Sequence, residues 1–134
     1  MSKPVVTVVA AVLINAANEI LLAQRPTGKT MAGLWEFPGG KLEDGESPEA
    51  ALSRELHEEL GIKVCAGDLE PLTFASHSYE TFHLLMPVFA CRKWSGTVTA
   101  RETQAFTWVN VDALEDYPMP PADAPLLPVL RTRL

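Results

Sequence analysis

The chain has 134 residues, enough for one domain with its own core and too few for a second. Apolar residues make up 47% and charged residues 21%, a globular balance that excludes a disordered chain. The 17 Asp and Glu against 11 Lys and Arg give a formal net charge of -6, which speaks against a partner that is a nucleic acid polymer. Phosphate chemistry stays open, because divalent metals held by carboxylates can supply the missing positive charge. Two cysteines, Cys65 and Cys91, are too few for a disulfide framework and lack zinc-ligand spacing, so a reduced, cytoplasmic setting fits best.

The first element is Val5–Ile14, an apolar run too short to span a bilayer. Lys3 in front and Asn15-Ala16-Ala17 behind imitate a signal peptide weakly. The run is rich in β-branched valine and leads through Asn18-Glu19 into Ile20–Gln24, which reads instead as a buried strand followed by another. The two are expected to form an antiparallel pair turning at Asn15–Asn18. No segment has the length or composition of a membrane span.

Thr27–Gly33 reads as loop, and Trp35-Glu36-Phe37 as a short extended piece ended by Pro38-Gly39-Gly40. The strongest helix begins at Ser47-Pro48. Serine suits the N-cap, proline at the first helical position lacks a donor that would go unpaired, and Glu49 complements the dipole. It should end at Leu60, with Gly61 as left-handed stop. Strands are expected at Leu69–Ser76, Thr81–Arg92, Thr97–Thr99 and Ala105–Val109. A short helix near Val111–Asp116 and a last one from about Pro125 complete the chain. Tyr117–Pro125 holds four of the eleven prolines and should be a stiff loop. The pattern is α/β with mixed strands.

The chemistry is concentrated in Gly40–Ile62, GKLEDGESPEAALSRELHEELGI. At about 100° per residue, Glu55, Glu58 and Glu59 share a sector of roughly 100° on the helix. Leu52, Leu56 and Leu60 form a neighbouring apolar stripe that can seat it on a sheet. Like charges at i, i+3 and i+4 repel, and the helix C-terminus disfavours anions. A divalent cation removes both penalties; the plainer alternative is a solvated acidic face.

The segment resembles the Nudix box: G, five residues, E, seven residues, then R-E-apolar-x-E-E-x-G-apolar. Gly40, Glu46, Arg54, Glu55, Leu56, Glu58, Glu59, Gly61 and Ile62 fill every defined position. A given window matches by accident with odds of roughly 10⁻⁹ to 10⁻¹⁰. Outside the box the chain resembles the MutT branch of that family at Gln24-Arg25-Pro26, at Gly33-x-Trp35-Glu36-Phe37-Pro38-Gly39-Gly40-Lys41 and at Trp94-x-Gly96. Glu102-x-Gln104 before Trp108 and Pro120-Pro121-Ala122-Asp123-x-Pro125 extend the resemblance. It implies one Nudix domain over residues 1–134, an α/β/α sandwich with a mixed β-sheet, and Mg²⁺- or Mn²⁺-dependent hydrolysis of a nucleoside diphosphate linked to another group.

The same resemblance implies roles. Glu58 and Glu59 are expected as metal ligands helped by the Gly39 carbonyl, Glu102 as a further ligand or water-orienting group, and Glu55 as general base or ligand. Arg54 is expected to hold these carboxylates through bidentate hydrogen bonds. Arg25 matches a residue that contacts phosphate or base, against the alternative of a surface salt bridge. Glu36-Phe37-Pro38 matches the segment beside the nucleoside, with Phe37 either a stacking surface or core. Trp35, Trp94 and Trp108 are expected to pack structure, and His57, His77 and His83 make no nucleophile or metal pattern.

Asp123 stands where the 8-oxo-dGTP-cleaving type of the family carries asparagine. An ionised aspartate only accepts, from a guanine N1–H and amino group or from a cytosine amine; a protonated one could imitate the amide. As a third possibility, Asp123 caps the last helix. The substrate implied is a nucleoside triphosphate cleaved to a monophosphate and pyrophosphate, 8-oxo-dGTP in nucleotide-pool sanitising serving DNA replication and repair. The alternatives are CTP or modified cytidine triphosphates, a nucleotide sugar or dinucleotide, or a non-catalytic ligand sensor. A monomer or weak dimer is expected.

Overall fold

In the computed structural model, which describes residues 3–134, seven strands form two sheets. Strands β1 (Val5–Leu13), β4 (Gly39–Lys41), β5 (Leu69–Ser78) and β6 (His83–Cys91) make one, in the order β4-β1-β6-β5. Strands β2 (Ile20–Gln24), β3 (Trp35–Glu36) and β7 (Ala105–Val109) make the other, in the order β3-β2-β7. The first sheet is mixed, with β1 parallel to β6 and all other pairs antiparallel. Helices α1 (Pro48–Leu60) and α2 (Leu126–Arg133) lie in separate cores on either side.

The continuous apolar run of β1 has a direct cause. Ala10, Val12 and Ile14 pack into the core shared with α2, while Val9, Ala11 and Leu13 pack into the core shared with α1. A strand buried on both faces has no polar side to alternate with.

The expected β1–β2 ladder does not form. Both edges of β1 are occupied, by β4 at Val8–Ala10 and by β6 along most of its length, so β2 has no free edge to pair with. Only the Ile14–Ile20 bridge joins the two segments before β2 enters the other sheet. The turn is built as its asparagines suggest. Asn15 Oδ1 accepts from the Ala17 and Glu19 N–H groups at 3.0 and 2.8 Å, and Asn18 takes φ 61°.

Two further expectations are corrected. Gly39-Gly40 does not merely end an extended piece: after Pro38 the chain crosses from β3 to β4 and pairs with β1. A Cβ on Gly39 would stand 1.8 Å from the Val9 carbonyl oxygen, so only glycine allows this register. Thr97–Thr99 is not a strand. The Thr99 N–H instead donates to the Leu60 carbonyl at 2.9 Å, which satisfies an open acceptor at the end of α1. The segment Val111–Asp116 is a 3₁₀ helix capped by Asn110, whose side chain accepts from the Asp112 N–H.

Helix α1 follows its sequence signals closely. Ser47 Oγ accepts from the Ala50 N–H, Pro48 occupies the first turn, and Gly61 at φ 74° returns its N–H to the His57 carbonyl. Ala51, Leu52, Leu56 and Leu60 are fully buried, which turns the glutamates along one flank of the helix.

Candidate active site

The glycine loop and α1 are joined by a clasp centred on Arg54. Its Nε and Nη2 donate to the two Glu46 carboxylate oxygens at 2.7 and 2.9 Å. Nη1 donates to Glu55 at 2.8 Å and to Glu58 at 3.3 Å, and Nη2 also reaches the Lys41 carbonyl at 3.0 Å. The guanidinium bonds and the Glu43 N–H hold the Glu46 carboxyl down at about 2. One cation therefore ties the loop after β4 to the acidic flank of α1, in the fork geometry that lysine lacks. Gly40 completes the joint: a Cβ there would fall 2.4 to 2.6 Å from the Glu55 carboxylate.

Beside the clasp opens a cavity of about 550 Å³ walled by Glu36, Glu55, Glu59 and Glu102, with Arg25 and Lys29 as its cations. Glu59 sits deepest. Burial, then the charges of Glu55 and Glu36, push its carboxyl up to about 8, although the Gly39 N–H donates to it at 3.2 Å. Glu55 is also raised, chiefly by burial, with Arg54 opposing. Glu102 arrives from far along the chain by backbone contacts. The Thr99 N–H bonds the Leu60 carbonyl, and the Arg101 and Glu102 N–H groups bond the Glu59 carbonyl at 2.9 and 3.3 Å. The loop thus caps α1 and carries Glu102 to the cavity in one stroke.

Among the described residues no three His, Cys, Asp or Glu side chains stand together as a ready-made ligand set. The donors nevertheless fit a hard divalent cation. A buried carboxylate crowded by like charges is the arrangement that such an ion relieves, and every donor is oxygen. Glu55, Glu59 and Glu102 face the cavity and could hold it. Glu58 is more exposed, is turned to Arg54 and does not line the cavity.

A second cavity of about 470 Å³ adjoins the first and shares Val8, Arg25 and Glu36 with it. The shared wall is an ion pair. Arg25 Nη1 lies 3.1 Å from both Glu36 oxygens, and its Nε donates to the Thr30 carbonyl at 2.7 Å. Glu36 is raised above its ordinary value by burial, with Arg25 opposing. At the far end Asp123, 5% exposed, is the one buried charged side chain among the described residues. Burial and the Glu36 charge push its carboxyl up to about 7, against the Phe37 N–H that favours the anion. Tyr79 and Phe82 stack at 5.0 Å between ring centroids and line the same cavity. Asp123 does not cap α2: Pro125 stands at the cap position and no side chain bonds there.

The remaining expected residues divide between site and scaffold. Phe37 is 3% exposed and belongs to the α2-side core, the second of the two roles open to it. Pro38 is buried and its carbonyl accepts from the Ala11 N–H at 2.8 Å, a structural position. Trp94 and Trp108 stack on one another, and Trp35 packs edge-on against Tyr117. Tyr79 and Lys29 line the two cavities although the sequence does not mark them, and Lys41, part of a recognised motif, lines the second without an expected role. Nothing local marks Tyr79 in its β5–β6 turn.

Residues 9–128 match the family described as NUDIX domain. The CTP pyrophosphohydrolase of Escherichia coli K12 is 44% identical over 121 residues, covering 89% of this chain and 87% of that protein. The 8-oxo-dGTP diphosphatase of Haemophilus influenzae is 37% identical, covering 95% and 92%. Among solved structures, the E. coli ORF135 protein superposes with a TM-score of 0.84 at 37% identity, over 97% of this chain and 91% of that one. The chain belongs to the Nudix family. It is accordingly a Nudix hydrolase, with the mixed α/β fold of that family.

Proposed function

We propose that the chain hydrolyses nucleoside triphosphates to a nucleoside monophosphate and pyrophosphate, as a single domain over residues 1–134. The observation that carries this reading is the pair of adjoining cavities, one walled by carboxylates and one holding Asp123 and stacked aromatics, joined at Arg25–Glu36. A polyphosphate belongs in the first and a base in the second. Glu55, Glu59 and Glu102, with the Gly39 carbonyl, would hold Mg²⁺ or Mn²⁺, while Glu58, turned to Arg54, would have to swing towards the cavity to join them. Such an ion neutralises phosphate charge and lowers the pKa of bound water.

The protein's own groups do the rest. Arg54 restrains Glu55 and Glu58 so that the acidic flank of α1 keeps its shape before substrate arrives. Arg25, fixed by Glu36 and Thr30, meets the phosphate chain where it joins the nucleoside. Glu36 borders both cavities, and Phe37 and Gly39 line the carboxylate one. Asp123 reads the base edge. Its carboxyl titrates near neutrality, so it can both donate and accept when protonated. On this basis 8-oxo-dGTP is the leading substrate, removed from the cytoplasmic nucleotide pool before replication can use it, in the service of DNA repair.

A second reading is favoured by a specific observation. The E. coli relative at 44% identity is a CTP pyrophosphohydrolase. A protonated Asp123 could donate to cytosine N3 while accepting from its amine. Pyrophosphate release with and without Mg²⁺ or Mn²⁺, across 8-oxo-dGTP, dGTP, CTP, 5-substituted dCTP and ADP-ribose, tests both readings. Selectivity for an oxidised purine supports the first and selectivity for cytidine nucleotides the second. Turnover of ADP-ribose alone would overturn both.

A further inference from the structure

Resting on the triphosphate reading above, we infer that Lys29 is the residue that recognises the terminal phosphate and makes this site prefer a triphosphate to a diphosphate. The acidic cavity has four carboxylates in its wall and two cations, Arg25 and Lys29. Arg25 is already committed, with Glu36 on one side and the Thr30 carbonyl on the other. Lys29 makes no ion pair among the described residues. It lines the carboxylate cavity but not the cavity of Asp123, so its ammonium serves phosphates remote from the base.

The loop that carries Lys29 is built to point it. The Lys29 N–H closes a turn onto the Pro26 carbonyl at 3.4 Å, and Gly28 takes φ 86° in the same turn. The neck of the loop is fastened by Arg25 N–H to Leu34 at 2.9 Å and Gly33 N–H to Arg25 at 3.0 Å. Thr30, the next residue, is tied to the Arg25 guanidinium. Lys29 is therefore an exposed side chain on a fastened arm at the mouth of an acid-walled cavity. Each added phosphate brings more negative charge into that cavity. A compact ammonium with three donors offsets the terminal one, at a point away from Arg25, whose Nε and Nη1 are already engaged by Thr30 and Glu36.

The test compares wild type with Lys29→Ala and Lys29→Arg, all in Mg²⁺, using the preferred nucleoside triphosphate, the matching diphosphate, the monophosphate and inorganic pyrophosphate. Lys29→Ala is expected to raise KM for the triphosphate about tenfold with kcat within about twofold, the scale of one exposed charge-assisted hydrogen bond. Calorimetric titration should show pyrophosphate binding weakened by a similar factor and monophosphate binding unchanged. The inhibition constant of the diphosphate should move little, and Lys29→Arg should recover most of the loss. Equal losses for triphosphate and diphosphate, or unaltered pyrophosphate binding, would overturn the inference. A wild type inactive on every triphosphate would instead overturn the parent reading, and the pyrophosphate titration would still decide whether Lys29 binds phosphate.

Discussion

The two cavities are built in opposite ways. The carboxylate cavity has its centre in Glu55 and Glu59 from one helix and Gly39 and Gly40 from the strand before it, a stretch of about twenty residues braced by Arg54, to which Arg25, Glu36 and Glu102 are added from elsewhere. The Asp123 cavity draws on Val6, Thr30, the turn residues Tyr79 and Phe82, and Asp123, which come from four separate parts of the chain. A reaction common to many substrates can be encoded in one local segment. On the proposed reading, recognition of a particular base is assembled from scattered residues that can change one at a time without disturbing α1. The difference explains why a family shares its chemistry more widely than its substrates.

Substitutions should separate the two halves, and the largest effect belongs to the carboxylate cavity. Glu59→Gln is expected to lower kcat/KM by about 10² to 10³ on every substrate, the scale of losing a central electrostatic group. Without metal the same variant should be at least as stable as wild type in urea unfolding near pH 9, because it removes a buried carboxylate crowded by like charges. Activity near that of wild type would dissolve the distinction between the two cavities.

Arg54→Lys comes next, with a loss of about 10- to 100-fold and a raised metal requirement, since a point charge cannot hold Glu46 and Glu55 together. Gly40→Ala should fall in the same range, because its Cβ would displace the Glu55 carboxylate. Both losses should be alike across bases, as measured on the same substrate panel.

Asp123→Asn sharpens the comparison from the other side. It should change the ratio of kcat/KM between guanine and cytosine nucleotides while altering the best substrate by about tenfold or less. The pH dependence has a definite sign. The Asp123 carboxyl is raised from 3.8 to about 7, so the unfolded chain gives up this proton first. Its contribution to stability is complete below pH 3.8 and is lost as pH rises towards 7. Urea midpoints from pH 4 to 8 should therefore fall more steeply for wild type than for Asp123→Asn. The smallest effect is expected of Thr99→Val. It removes the hydroxyl that contacts the Leu60 carbonyl at 3.3 Å but keeps the Thr99 N–H bond, so the cost should be about 1 kcal/mol or less by thermal unfolding.

What was legible in the sequence follows the same division. Ser47, Pro48 and Gly61 announce α1 because capping is a matter of a few adjacent residues. The flank of Glu55, Glu58 and Glu59 follows from helical spacing alone, although only Arg54 in place shows that Glu58 is turned from the cavity. The split into two sheets was not legible, since it depends on β4 and β6 reaching the edges of β1 before β2 can. Thr97–Thr99 has the composition of a strand, but its backbone serves the end of α1 instead. Glu102 and Asp123 could be placed only through resemblance to relatives. Tyr79 and Lys29 acquire meaning only from what surrounds them in space.

The parallel pairing of β1 with β6 has a consequence for how the molecule comes into being. Val5 lies opposite His83 and Leu13 opposite Cys91, so β1 waits for nearly eighty residues before its principal partner exists. Contacts of such long separation close slowly. Glu102 and Asp123 follow later still, and each cavity lacks one of its residues until they are made. A ribosome-bound chain can carry the whole glutamate helix and still lack Glu102 and Asp123, a wall of each cavity.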